Sequence, residues 1–189
     1  MSTDDQHLIE IRLSSEEVFS GRLLKVHSDR VSLSNGAESV REHIIHPGAV
    51  VMLAALDNGK LLFERQFRYP LGQVFLELPA GKIDAGEHPL DTARRELREE
   101  TGYKARSWRH LGIMHPCIGY SNERIDIFLA HGLSYVGSEP DPGEFLEVIE
   151  LSLADAFLAV RDGEITDGKT LAGLLWAEKI FSGAWDMPA

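Results

Sequence analysis

The sequence predicts an α/β protein that begins with an antiparallel β extension. Three observations carry this reading. Short β-prone runs crowd residues 8–45 and are broken by Asn35-Gly36, a strong hairpin signal. Apolar runs of strand length then recur between Ala49 and Leu151. A helical segment near residues 89–101 interrupts these runs, and two helical patterns follow them.

The elements follow in order. Val18 to Val26, Arg30 to Ser34 and Val40 to Ile45 read as two or three antiparallel strands, and Pro47-Gly48 punctuates them as a module boundary. The expected division is residues 1–45 as the β extension and residues 46–189 as the main domain. Ala49 to Leu56 and Leu61 to Phe67 read as strands joined by the turn Asp57-Asn58-Gly59, and Val74 to Leu78 is a third. Pro89 suits the first turn of a helix whose Leu90, Ala93, Leu97 and Thr101 face a core. Gly102 suits the left-handed residue just past its end. Leu111 to Met114, Ile125 to Ala130 and Phe145 to Leu151 read as further strands, the last preceded by an acidic loop at 137–144. Ser152 caps a helix from Leu153 to Asp162, and a last helix covers about 169–182.

Composition narrows the function. The 189 residues carry a formal charge of −11, which argues against a nucleic-acid surface built from clustered Lys and Arg. Cys117 is the only cysteine, so no internal disulfide can form, which fits a reducing, cytoplasmic compartment. The polar, acidic Met1 to Glu10 stretch lacks the signature of a signal peptide, and no apolar run is long enough to span a bilayer.

The chemistry concentrates between Gly81 and Tyr103. Glu96 and Glu100 are four residues apart and share one helical face, with Cβ atoms roughly 5–6 Å apart; Glu99 borders that face. Like charges so placed cost about 0.2–0.5 kcal/mol per pair in a bare helix. A hard divalent cation, which takes oxygen ligands, converts that repulsion into binding.

The full spacing is Gly-x5-Glu-x7-Arg-Glu-U-x-Glu-Glu-x-Gly-U, with U apolar. It resembles the Nudix box at every fixed position. Glu77-Leu78-Pro79-Ala80-Gly81, Arg65-Gln66-Phe67-Arg68-Tyr69, and the region of Gly21, Asn35-Gly36 and His46-Pro47-Gly48 are similar to the ADP-ribose pyrophosphatases of that family. The resemblance covers roughly residues 18–182. It implies a Nudix-type α/β/α sandwich with a mixed sheet, plus the N-terminal antiparallel β extension. It implies Mg2+-dependent hydrolysis, with Mn2+ as an alternative ion, of a nucleoside diphosphate linked to another moiety, foremost ADP-ribose to AMP and ribose 5-phosphate. Other sugar nucleotides such as GDP-mannose, dinucleotides such as NADH or diadenosine polyphosphates, and a non-catalytic nucleotide sensor remain alternatives; the intact glutamates speak against the sensor.

Residue by residue, the resemblance makes Glu96 and Glu100 metal ligands, with the Ala80 carbonyl. Glu99 acts as a ligand or through metal-bound water, and Glu87 and Arg95 orient the others. The water-activating carboxylate falls in the acidic loop, where Glu144 fits best and Glu139 and Glu147 are rivals. Arg68 matches an arginine near the substrate diphosphate, Glu123 a residue near the terminal ribose, and Arg41 and Glu42 residues near the adenine. The resemblance also implies a homodimer in which the extension packs against, or exchanges with, a twofold partner. One departure concerns the substrate: many ADP-ribose hydrolases read Ser-Pro-Gly after the box, and here the sequence is Cys117-Ile118-Gly119.

Some features are read as structural. Gly163-x4-Gly168-Lys169-Thr170 fits the P-loop pattern, but an expected helix, not a buried strand, precedes it. The histidines, among them His43, His46, His110 and His115, are not spaced as a metal set. Cys117 has no neighbouring basic partner, and Trp108, Trp176 and Trp185 are read as packing residues.

Overall fold

Alternation of apolar side chains along one central strand determines the layers of the fold. The computed structural model describes residues 5–187; the outermost residues of both expected segments, including Met1 to Asp4, lie outside it. Strand β4 (Ala49–Ala55) is buried along almost its whole length. Its Val50, Met52 and Ala54 pack with Leu62, Phe128 and Ala130 against Ala93 and Leu97 of helix α1 (Pro89–Thr101). Its Val51 and Leu53 point the other way. They pack with Leu61, Phe63, Ile127 and Leu129 against α2 (Leu153–Arg161) and α3 (Gly168–Phe181), which contribute Ala156, Ala159, Leu174 and Ala177. A strand buried on both faces demands helices on both sides, so the main body is an α/β/α sandwich.

Contacts divide the chain into two compact units. One takes the chain up to His46 together with Cys117–Glu123; the other takes Pro47–Pro116 and everything from Arg124 onward. In the second unit the sheet order is β10-β5-β4-β9-β8, formed by β10 (Leu146–Ser152), β5 (Lys60–Arg68), β4, β9 (Ile125–Tyr135) and β8 (Tyr103–Met114). Strand β6 (Gln73–Glu77) adds to β5, and β7 (Ala80–Lys82) adds to β4. Only the β4–β9 pairing is parallel, so the sheet is mixed.

Strands β8 and β9 run longer than the apolar runs suggested. Residues 103–109 alternate half-buried Tyr103, Ala105 and Ser107 with exposed Lys104 and Arg106, the pattern of an edge strand with one wet face. Strand β7 escaped the sequence reading because it is three residues long and holds a glycine.

The first unit is a three-stranded antiparallel sheet, β1 (Ile11–Ser20), β2 (Lys25–Ser32) and β3 (Glu38–Ile45). The Asn35-Gly36 turn closes β2–β3, with Ala37 N–H donating to Asn35 Oδ1 at 3.0 Å. Gly21–Leu24 makes the β1–β2 turn, so Val18 to Val26 is not one continuous strand. Cys117–Glu123 belongs to this unit rather than to the main domain to which the sequence reading assigned it. The edge of β3 holds it: Ile44 N–H donates to the Tyr120 carbonyl at 2.8 Å, and His46 N–H donates to Asn122 Oδ1 at 2.7 Å.

Helix α1 ends as its sequence dictates. Gly102 has φ +77° and returns its N–H to the Arg98 carbonyl, and a Cβ there would lie 2.6 Å from the Tyr135 ring. Leu97, fully buried between α1 and β4, tests the sandwich most directly. Leu97→Ala is expected to cost about 2–5 kcal/mol in urea denaturation, the range for deleting a buried leucine side chain. A loss below about 1 kcal/mol would show that α1 does not dock there.

Candidate active site

The site grows from the segment that joins β6, β7 and α1. His88 caps α1 by accepting from Leu90 N–H, and Pro89 occupies the first turn. This fixes the phase of the helix, so that Glu96 and Glu100 turn toward β7. Gly81 then matters for its missing side chain. A Cβ there would sit 1.9 Å from Glu96 Cδ, inside the carboxyl group itself. Only glycine lets the strand and the carboxylate share this space.

Arg95 organises the outer part. Its guanidinium donates to Glu87 at 2.9 and 3.1 Å, to Glu96 at 2.8 Å and to Glu99 at 3.1 Å. Glu87 also accepts from Thr92 Oγ1 at 2.7 Å. The Arg95 hydrogen bond is the chief reason that the Glu87 carboxyl is held down to about 2. The arrangement fits an orienting role for both residues.

Inside this ring the environment reverses. Glu100 is 4% exposed and accepts from Ala80 N–H at 3.2 Å. Burial, then the charges of Glu64, Glu96 and Glu144, raise it well above the usual carboxylate range, and the Ala80 bond only partly opposes this. Glu96 is also raised, first by burial, with Arg95 opposing. Glu64 on β5 is 1% exposed and is pushed up to about 8 by burial and by Glu77 and Glu144, with Arg68 opposing. Its Oε1 has no hydrogen-bond partner. Thus carboxylates from β5, α1 and the loop before β10 crowd together, and burial and neighbouring charge disfavour ionisation of Glu64, Glu96 and Glu100. A divalent cation reverses that logic, since it favours every carboxylate that faces it. Among the described residues, no three such side chains already form a metal cage. Arg95 holds Glu96 and Glu99, and Ala80 N–H holds Glu100. The donor set is all oxygen, with an orphaned buried oxygen in it, and it fits a hard divalent ion.

The acidic loop resolves into distinct environments. Glu144 accepts from Gln66 Nε2 at 3.0 Å, and its charge acts on Glu64, Glu96 and Glu100. Glu139 is instead paired with Arg98 at 2.6 Å and Glu147 with Arg65 at 2.7 Å. Arg68 lies in a fork on Glu77 at 2.7 and 2.8 Å, and Glu77, 2% exposed, also holds Lys169. Lys169 further pairs with Asp167 at 2.9 Å. The P-loop-like segment is therefore a helix cap following α2: Asp167 accepts from Thr170 N–H at 3.0 Å, and its lysine is committed to carboxylates. Arg41, Glu42 and Glu123 lie in the other unit. Arg41 pairs with Glu10 at 2.5 Å, Glu42 sits opposite Ser28 on β2, and Glu123 is 3.8 Å from His46. Trp108 packs edge-on against Phe128, and Trp176 against Trp185.

Sequence reading missed Glu64 and Glu77. They are opposite each other in the β5–β6 pairing. The available signal was a glutamate inside an otherwise apolar strand, Leu61-Leu62-Phe63-Glu64.

With this geometry in view, comparison with known proteins is decisive. The family model described as NUDIX domain matches residues 45–174. The chain belongs to the Nudix hydrolase family. An ADP-ribose pyrophosphatase of Bacillus subtilis is 42% identical over 165 residues, 86% of this chain and 89% of that protein. An ADP-ribose pyrophosphatase of Mycobacterium tuberculosis is 36% identical over 174 residues, 90% of this chain and 84% of that protein. Among solved structures, an ADP compounds hydrolase superposes with a TM-score of 0.83 at 26% identity, covering 93% of this chain and 95% of that one. Nudix hydrolases generally use divalent metal ions, in keeping with the oxygen-rich donor set, and the chain is an enzyme of that class. Among the described residues, no helix is long and apolar enough to cross a membrane.

The Gly81–Glu96 approach yields a direct test. Gly81→Ala must drive Glu96 or β7 aside. Turnover is expected to fall by about 100-fold, the scale of a 1 Å misplacement at a reacting centre, with the circular dichroism spectrum retained. Unchanged turnover would show that Glu96 has no part in the reaction.

Proposed function

We propose that this Nudix hydrolase cleaves ADP-ribose to AMP and ribose 5-phosphate with Mg2+, Mn2+ serving as a substitute. The observation that carries the reading is the gathering of buried Glu64 and Glu100 with half-buried Glu96 and Glu144, beside a glycine that admits Glu96. The two ADP-ribose pyrophosphatase relatives support the choice of substrate. Glu96, Glu99, Glu100 and the Ala80 carbonyl hold the ion. When bound, the ion neutralises the diphosphate and acidifies water. Glu144 takes the proton of the attacking water, a new P–O bond forms, and the bridging P–O bond breaks. Arg68 presents its remaining N–H groups to the phosphate oxygens, and Glu87 and Arg95 keep the box glutamates in place. Arg41 and Glu42 are assigned to the adenine, presented across the dimer, and Glu123 to the terminal ribose. A reducing, cytoplasmic location fits the lone Cys117.

The test is a panel of ADP-ribose, GDP-mannose, NADH and diadenosine polyphosphates incubated with Mg2+, with products resolved by chromatography. AMP and ribose 5-phosphate from ADP-ribose are expected at the highest kcat/KM. Preference for GDP-mannose would retain the reaction class and replace the substrate. Glu144→Gln is expected to lower kcat by about 100-fold or more with KM little changed, as for loss of a general base. Wild-type kcat in this variant, with loss in Glu139→Gln or Glu147→Gln, would move the base.

The β extension serves a homodimer. Strand β1 is exposed along its whole length, with Ile11, Leu13, Val18 and Phe19 uncovered, and a small sheet with a bare apolar surface is marginal alone. Light scattering at micromolar concentration is expected to give twice the chain mass. A monomer there would reject the dimer, and a dimer that survives deletion of residues 1–45 would reject the role of the extension.

A further inference from the structure

Glu64 lies outside the box and, although its orphaned oxygen sits among the site's carboxylates, it is not among the residues assigned above to hold the ion. Alternation along β5 places it on the face of Leu62, which belongs to the core beneath α1. It therefore looks toward the helix, and its carboxyl group interacts with that of Glu100. It is 1% exposed, yet Oε1 has no partner of any kind. Interior strand positions hold apolar side chains by default, and a buried carboxylate that leaves one oxygen unmade is costly. A purely structural Glu64 would need only the oxygen that meets Glu100.

We propose that the Glu64 carboxylate is a further oxygen ligand of the divalent ion, supplied by the sheet to complement the ligands of α1. The inference rests on the reading of α1 as the metal-binding helix. Hard divalent ions take six or so oxygens, and the α1 carboxylates with the Ala80 carbonyl of β7 supply only part of that number. Glu64 supplies an oxygen from the strand beneath. Its unpaired Oε1 is already buried, so its desolvation occurs on folding rather than on ion binding.

Glu64→Gln separates the two roles. Glutamine fills the same space and can donate to Glu100, so it preserves a structural role and removes the ligand. Mn2+ is titrated into the full-length protein without substrate, and free Mn2+ is read by electron paramagnetic resonance, alongside thermal melts with and without Mn2+. Glu64→Gln is expected to bind Mn2+ about tenfold or more weakly, the scale for losing a group that supports a metal site. It should melt no lower than wild type without metal and gain less on adding Mn2+. Affinity within twofold of wild type overturns the proposal. If Glu64→Gln fails to fold by circular dichroism, Glu64→Asp decides in its place: it keeps the charge and withdraws the oxygen by one methylene. Weakened Mn2+ binding in Glu64→Asp supports the proposal, and unchanged binding overturns it. Glu100→Gln separates this from the broader reading. Loss of Mn2+ there, with none in Glu64→Gln, rejects Glu64 alone; no loss in Glu100→Gln rejects the metal role of α1 and Glu64 with it.

Discussion

Glu64, Glu96, Glu100 and Glu144 repel one another, and the docking of α1 on β4 holds them together against that repulsion. Ala93 and Leu97 bury one side of the helix against Val50, Met52 and Ala54, and this apolar contact fixes which way its glutamates face. Hydrophobic packing is non-directional, so it can offset an electrostatic cost without constraining the polar geometry. The directional part comes from hydrogen bonds: Ala80 N–H on Glu100, Gln66 on Glu144, and Arg95 on Glu87, Glu96 and Glu99. Placement and alignment are thus divided between two kinds of force.

The cations are arranged around this region rather than within it. Arg95 lies on the helix side, and Arg68 and Lys169 both meet Glu77 on β6. Arg95 compensates Glu96 and Glu99, whereas Glu64 and Glu100 have no ion-pair partner among the described residues.

The legible parts of the site are those encoded within one turn of helix or one loop. Glu96, Glu99 and Glu100 fall within little more than one turn, so their spacing alone puts them on or beside one face, whereas the place of Gly81 beside them came from the resemblance to the Nudix box. Gly102 could be read the same way, since a helix end in the left-handed conformation favours glycine. Glu64 and Glu77 could not. Their meeting depends on the β5–β6 register, which residue spacing does not show; the one local sign is a glutamate ending the apolar run 61–63. The Lys169 environment shows the converse: a local pattern suggested phosphate binding, and long-range contact with Glu77 gives the lysine another partner. The Cys117–Glu123 loop was misassigned for a related reason, because its partner is the backbone edge of β3, and backbone pairing is blind to side-chain pattern.

The cap of α3 has a consequence for motion. Thr170 Oγ1 accepts the Leu78 N–H at 2.9 Å and donates to Asp167 at 2.7 Å, while Leu78 Cδ1 sits where a Cβ on Gly173 would be 2.6 Å away. The segment running into Ala80 and Gly81 is thereby fastened to the first turns of a helix on the opposite layer. Local opening of the site's floor is coupled to undocking of α3, so the two belong to one cooperative unit. The strand that carries Ala80 and Gly81 is thus held from the layer opposite α1 as well as by α1 itself.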